Sequence, residues 1–316
     1  MNRLHPTPNR RKVIAGASAL VAAAAINDAY AGAAPARSLL IVGDWGRDTA
    51  PHQREVASQM DRAAAERACV GVISVGDNFY EDGIQSVDDP KWRTSFEEIY
   101  TGASLRPLPW YVALGNHDYG GAPQAQVDYT RRSDRWHMPS RFFKVSGAEM
   151  GLPEIDLFVI DTNPLIDHYA EGDDPQAINV RSQDSQAQLA WLDRELAAST
   201  AKYKLVAGHH TIFSGGSLHG DTPDMIAKVL PLLKRHGVTA YINGHDHDLQ
   251  HIARDDLHFV CSGAGSESRP VAAIEGTRFC LARAGFAILS VGADGLDVEY
   301  RDYAGATLYR SALAVA

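Results

Sequence analysis

At 316 residues and 45% hydrophobic composition, the chain is long enough to bury a substantial core as one large domain or two smaller ones, which excludes an intrinsically disordered protein. A formal net charge of −9 and a sequence pI near 5.8 oppose nonspecific attraction to nucleic-acid backbones or anionic membrane surfaces. An anionic substrate therefore requires a local positive centre.

The chain opens with Arg10-Arg11-Lys12, an acid-free apolar run from Val13 to Ile26, and Ala29-Tyr30-Ala31. That is the order of an export signal with a small-residue cleavage site, and the paired arginines suggest the twin-arginine route. A membrane anchor is the alternative, but the run falls short of the roughly 20 residues a bilayer crossing needs. Residues 1–31 are thus expected to be a signal peptide and residues 32–316 a mature domain, periplasmic or secreted, with no stable membrane anchor. Twin-arginine export passes folded proteins, which suits a cofactor loaded before translocation.

From Leu39 onward, short apolar runs alternate with amphipathic segments. Leu39–Val42 predicts a strand, residues 51–67 a helix, and Val70–Val75 and Trp110–Leu114 two more strands. A strand at Leu157–Ile160 precedes a helix over Gln183–Leu196, a strand at Lys204–Ala207, a helix over Pro223–His236 and a strand at Thr239–Ile242. This alternation predicts an α/β domain with mainly parallel central strands. The last runs, His258–Cys261, Phe286–Val291, Leu296–Tyr300 and Thr307–Tyr309, are separated by glycine-containing turns and predict antiparallel strands. Residues 163–181 are rich in Asp, Pro and Gly without apolar periodicity and read as a long surface loop. Cys69, Cys261 and Cys280 lack the spacing of a thiolate metal site. Cys261 and Cys280 are candidates to pair after export, and Cys69 is expected to pack as a small hydrophobe.

Polar blocks recur at the carboxyl ends of the predicted strands: Gly43-Asp44-Trp45-Gly46, Gly76-Asp77-Asn78-Phe79-Tyr80, Gly115-Asn116-His117-Asp118, Gly208-His209-His210 and Gly244-His245-Asp246-His247. Ligands of open α/β sheets bind beyond those ends, so the blocks are expected to converge on one crevice. Each starts with glycine, which lets the backbone turn away from its strand. Carboxylate and imidazole donors suit iron, zinc or manganese, and a carboxylate can bridge two metals.

These five blocks resemble those of the calcineurin-like metallophosphoesterases. The tyrosine that ends the second block narrows the likeness to purple acid phosphatases, and the compact length to their small, mammalian-like branch. The resemblance implies a four-layer α/β/β/α sandwich with central mixed sheets. It also implies one metal bound by Asp44, Asp77, Tyr80 and His247, and another by Asp77, Asn116, His209 and His245. A phenolate at Tyr80 implies Fe(III) in the first position, with a divalent Fe, Zn or Mn in the second. His117 is similar to the family histidine that contacts phosphate or protonates the leaving group. His219 resembles its second such histidine, one residue farther from His209 than that pattern has it. The implied activity is hydrolysis of phosphate monoesters through in-line attack by a metal-bound hydroxide. The alternatives are a phosphodiesterase or nucleotide pyrophosphohydrolase with the same metals, and a noncatalytic metal-binding module.

Taken singly, the blocks have ordinary explanations: Asp44 as a helix cap, Asp77 and Asn116 as turn residues, Tyr80 as a packed aromatic. Their joint occurrence outweighs these. If the segment stays extended, alternation puts His245 and His247 on one side, and His210 points away from His209. Asp118, Asp246 and His251 are candidates for orienting ligands or for plain surface solvation. Arg47 reads as a rim contact for phosphate or, preferably, as an exposed ion pair. The segment 163–181 lies, by position, where small purple acid phosphatases carry a stretch that restrains activity, and the tail beyond Val271 is expected to supply packing.

Overall fold

The computed structural model describes residues 37–48 and 51–313, so the expected signal peptide lies outside the described residues. Strand β1 (Arg37–Val42) and strand β2 (Cys69–Val75) are rich in Val, Ile and Leu and are buried along most of their length, as interior strands must be. Helix α1 (Gln53–Glu66) joins them and buries Val56, Ala57, Met60, Ala63 and Ala64, a stripe of helical period packed against β2. Then follow β3 (Trp110–Ala113), α2 (Pro123–Tyr129), β4 (Trp136–His137), β5 (Phe143–Val145), α3 (Gly147–Met150) and β6 (Ile155–Val159). The middle of the chain forms α4 (Pro175–Arg181), α5 (Ser185–Ala198), β7 (Tyr203–Ala207), α6 (Pro223–Lys228), α7 (Leu230–Arg235) and β8 (Ala240–Asn243). The last strands are β9 (Leu249–Arg254), β10 (Leu257–Ser262), β11 (Thr277–Leu281), β12 (Gly285–Gly292), β13 (Gly295–Asp302) and β14 (Thr307–Ala312).

Two mixed sheets result, ordered β14-β13-β12-β1-β2-β3-β4 and β11-β9-β10-β8-β7-β6-β5. In the first, β1 to β4 are parallel and β12 to β14 add antiparallel strands. In the second, β6, β7, β8 and β10 are parallel, with β5 antiparallel at one edge and, at the other, β9 antiparallel to both β10 and β11. Residue alternation sets the layers. Leu157, Val159, Leu205, Ala207, Ala240 and Ile242 join the core shared with the first sheet. Phe158, Val206 and Tyr241 face a second cluster with Leu192 and Leu196 of α5 and Met225 and Leu233 of α6 and α7. The expected α/β/β/α arrangement of mixed sheets is therefore present.

Several expectations are corrected. The helix over Pro223–His236 is broken between Lys228 and Leu230, because Pro231 lacks an N–H and its ring crowds the preceding turn. Residues 163–181 are not a plain surface loop: short 3₁₀ turns at Asn163–Leu165 and Asp167–Ala170 lead into α4, and Asn163, Leu165, Ile166, Ala177 and Val180 are buried. β10 pairs antiparallel with β9 as expected, but on its other edge it pairs parallel with β8. Cys261 and Cys280 are both free thiols. Each pairs with Gln250 from opposite sides of β9, so two strand spacings of about 4.8 Å separate them, beyond disulfide reach.

Candidate metal centre

The blocks occupy loops that leave the carboxyl ends of β1, β2, β3, β7 and β8, and buried aromatic residues fix them. Trp45 donates from Nε1 to Ser74 Oγ at 2.9 Å and packs edge-on to Phe79, with ring centroids 5.6 Å apart. The backbone ties the first two blocks together, Asp44 N donating to Gly76 O at 3.0 Å and Tyr80 N to Gly46 O at 2.9 Å. Asp118 lies beneath the second and third blocks. It accepts from the amides of Asn78 (3.1 Å), Phe79 (3.2 Å) and Gly115 (2.8 Å) and from Gln126 Nε2 (2.8 Å). Burial, then the charge of Asp77, pushes its carboxyl up to about 7.

Asp44, Asp77 and His245 hold φ values of 59°, 50° and 72°. Non-glycine residues in the left-handed region carry backbone strain, which accumulates where function dictates side-chain direction. The bend at His245 overturns the extended reading of its block. Asp246 N donates to Gly244 O at 3.0 Å and Asp248 N to Asp246 O at 2.8 Å, so successive tight turns send His245 and His247 to different neighbours.

Two groups of side chains form. In one, the Tyr80 hydroxyl donates to Asp77 Oδ2 at 2.8 Å and lies 3.3 Å from Asp44 Oδ1 and 3.2 Å from His247 Nε2. One ligand atom from each of Asp44, Asp77 and His247 lies within 4.8 Å of the others. In the other, Asn116 Oδ1 is 3.0 Å from both His209 Nε2 and His245 Nδ1. Asp77 reaches both groups, since its Oδ1 is 3.5 Å from His209 Nε2. Outer partners fix the rings: His209 Nδ1 lies 2.8 Å from Val75 O, and His247 Nδ1 lies 2.8 Å from Glu267 Oε1. Each ring thereby keeps Nε2 turned inward.

Burial drives the electrostatics. It raises Asp44 well above the usual carboxylate value, Asp77 adding to the effect, and raises Tyr80 well above an ordinary phenol. Asp77 is buried too, but the charges of His209 and His117 and the His117 amide outweigh that and hold it low. Burial and neighbouring histidines push His245 well down. Asp44 and Asp77 are 0% and 2% exposed, and neither pairs with lysine or arginine among the described residues. Interior carboxylates facing imidazoles and an amide oxygen form a donor set that fits cations.

His117 donates its amide to Asp77 Oδ1 at 2.9 Å, sets Nδ1 against the Glu81 carbonyl, and keeps Nε2 4.0 Å from Asp77 Oδ2. His219 stacks on His245 with centroids 3.9 Å apart, its loop held by Asp246, which accepts the amides of His219 (3.3 Å) and Gly220 (3.2 Å). His210 directs its ring nitrogens away from the ligands, to Thr162 Oγ1 at 2.7 Å and the Tyr169 hydroxyl at 3.1 Å, while its ring packs against His245 with centroids 4.4 Å apart. His251 is nowhere near the ligands and instead contacts His258 and Tyr309. Arg47 does form ion pairs, with Glu81 at 3.3 Å and Glu267 at 3.2 Å, but its side chain is only 17% exposed. Glu267, Arg269, Tyr169 and Asn163 were missed from sequence. The first two follow Gly263-Ala264-Gly265 at the end of β10, a sixth glycine-bearing strand end that was open to reading.

The calcineurin-like phosphoesterase family profile matches residues 37–249. Purple acid phosphatase 4 of Arabidopsis thaliana is 37% identical over 284 residues, covering 86% of this chain and 82% of its own. The chain belongs to the purple acid phosphatases of that family. Human tartrate-resistant acid phosphatase type 5 is 33% identical, with 89% of this chain and 92% of its own covered. Among solved structures, GAP50, described as the anchor in the inner membrane complex of Plasmodium, superposes with a TM-score of 0.76 at 22% identity over 90% of each chain. A yellow lupin seed purple acid phosphatase gives 0.63 at 14% identity, over 87% of this chain and 53% of its own. These two likenesses show the shared fold. As a purple acid phosphatase, the protein is a metal-dependent hydrolase of phosphate monoesters with a binuclear centre.

Proposed function

We propose that Asp44, Asp77, Tyr80 and His247 hold one cation and Asp77, Asn116, His209 and His245 the other, so that the protein cleaves phosphate monoesters at a centre bridged by Asp77. The observation that carries this reading is Asp77 itself, with Oδ2 against the Tyr80 hydroxyl at 2.8 Å and Oδ1 facing His209 Nε2 at 3.5 Å. A buried phenol gives up its proton most readily to a hard, highly charged cation, so the first position is assigned Fe(III) and the second a divalent Fe, Zn or Mn. Bound there, such a pair supplies charge neutralisation for the phosphoryl oxygens and an acidified water.

The chain's own residues do the orienting. His117, its Nδ1 engaged by the Glu81 carbonyl, presents Nε2 at the mouth as proton donor to the departing ester oxygen. His219, stacked on His245 and with its pKa lowered chiefly by burial, lies beside the second group. Segment 163–181 borders the site through Tyr169 and is fastened by Asn179 Nδ2 to Tyr119 O and Gly121 O, each at 2.9 Å; it is assigned the restraint of turnover, which cleavage at exposed residues 171–174 should relieve. Residues 1–31 are assigned to twin-arginine export ahead of a catalytic domain over 32–316, and Arg10→Lys with Arg11→Lys should hold the protein inside the cell. Among the described residues no helix is long and apolar enough to cross a membrane.

The decisive experiment is Asp77→Ala, read by metal analysis and hydrolysis of an aryl phosphate. Paired metal uptake and turnover should both vanish, and near-wild-type hydrolysis would rule the bridged centre out.

A further inference from the structure

The rim beside His247 carries two guanidinium groups outside the ligand set. Arg47 Nη2 lies 3.2 Å from Glu267 Oε1, and Arg269 Nη2 lies 3.1 Å from the same oxygen. His247 Nδ1 approaches that oxygen as well, at 2.8 Å. One imidazole's width therefore separates the shared oxygen from Asp44 and Tyr80, which face the other nitrogen of the ring.

Donors exceed acceptors at this spot. A carboxylate oxygen offers two lone pairs, whereas each guanidinium carries five N–H groups. Glu267 is the sole ion-pair or hydrogen-bond partner described for the Arg269 side chain. Arg47, its guanidinium 3.8 Å from the centroid of the Tyr80 ring, is otherwise tied to Glu81, a carboxylate whose side chain is 70% exposed. So exposed a pair contributes little and yields readily to a competing anion. The Arg269 side chain is 30% exposed, so the free face of its guanidinium opens toward solvent. On a chain with a net charge of −9, the two guanidiniums set N–H donors beside an otherwise acidic centre, their charge balanced in this structure by Glu267 and Glu81.

We propose that Arg47 and Arg269 form an anion subsite next to the phosphate-cleaving centre, and that the preferred substrates are phosphate monoesters carrying a second anionic group, a carboxylate or a further phosphate, on the leaving side. Both groups match the planar fork of a guanidinium. The subsite rests on the phosphomonoesterase reading, because it selects among substrates for the same reaction. Arg47 and Arg269 act here as specificity-determining residues, and hydrolysis itself is unchanged: water is added and the ester oxygen departs with a proton.

The experiment measures kcat and KM of the metal-loaded wild type, Arg269→Gln and Arg269→Lys on two matched pairs. 3-Phosphoglycerate and glycerol 3-phosphate differ by the carboxylate, and adenosine 3′,5′-bisphosphate and AMP by the additional phosphate. Arg269→Gln should lower kcat/KM for the doubly anionic member by about tenfold or more, chiefly through KM, and for its partner by less than about twofold. Arg269→Lys should recover part of the loss. Selective loss with 3-phosphoglycerate alone supports a carboxylate as the recognised group, and loss with adenosine 3′,5′-bisphosphate alone a phosphate. Equal losses on all four compounds would assign Arg269 a structural role through Glu267 and His247 and overturn the subsite, as would no loss on any. Wild-type protein inert toward all four would remove the phosphatase reading and the subsite with it.

Discussion

The Tyr80 hydroxyl has Asp77, Asp44 and His247 as its neighbours and none of Asn116, His209 or His245, so it separates the two proposed positions chemically. Tyr80→Phe should still take up metal through the remaining donors but lose the visible charge-transfer band; a loaded variant that keeps the band would refute the ferric–tyrosinate assignment. Removing a proton donor has a different signature. His117→Ala should slow hydrolysis of an alkyl phosphate by roughly 10²–10⁴-fold, and much less so for a nitrophenyl ester, whose leaving oxygen needs no proton. Equal slowing of both esters would argue against the donor role. Glu267 tests the outer support: Glu267→Ala frees the Nδ1 side of His247 and should weaken metal affinity by roughly 10–100-fold, as titration against a competing chelator would reveal. The proposed ligands were legible because each follows a glycine within a few residues of a strand end. Tyr169 and Asn163 were not, because they reach the site from a segment whose contacts form only once distant parts of the chain pack. Asn163 Nδ2, for example, meets Leu114 O at 3.4 Å and Gly115 O at 3.3 Å.

At the scale of elements, the loops after β1 and β2 must touch for Asp44 and Tyr80 to meet. A Cβ placed on Gly46 would fall 1.8 Å from Asn78 O and 2.8 Å from Phe79 Cα, a collision with backbone that no rotamer relieves. Gly46→Ala should therefore cost about 3 kcal/mol or more, lowering the thermal midpoint by roughly 6–12 °C and loosening metal binding; an unchanged midpoint in calorimetry would show that the loops have room to part. The helices and strands with long apolar patterns were legible to within a few residues, α1 and α5 among them. β4 and β5, of two and three residues, are too short to carry a period. α4 was legible in part, since Asp174 caps it by accepting from Ala177 N at 2.8 Å and Pro175 begins it, the usual pair of start signals. The absence of a long apolar stripe concealed it.

Across the whole molecule, the two sheets are joined away from the site by the terminal strands. Tyr300 of β13 donates to Gln250 O of β9, and Tyr309 of β14 stacks on Phe279 of β11 with centroids 4.8 Å apart. His251 of β9 completes this seam, with Nδ1 3.1 Å from the Tyr309 hydroxyl and Nε2 3.0 Å from His258 Nδ1. Burial, with the charges of His258 and Arg278 adding to it, pushes His251 down to about 3. In the unfolded chain the imidazole titrates near an ordinary value of about 6.5. Between those limits the unfolded state binds the extra proton, so this contribution to stability is complete above about pH 6.5 and falls as the solution is acidified toward pH 3. The slope approaches 1.4 kcal/mol per pH unit. His251→Gln, which keeps a polar side chain and cannot charge, should flatten that acid limb by close to one proton in urea unfolding series run from pH 6.5 to 4. A variant with the wild-type slope would mean that the seam admits water and the imidazolium already in the folded state.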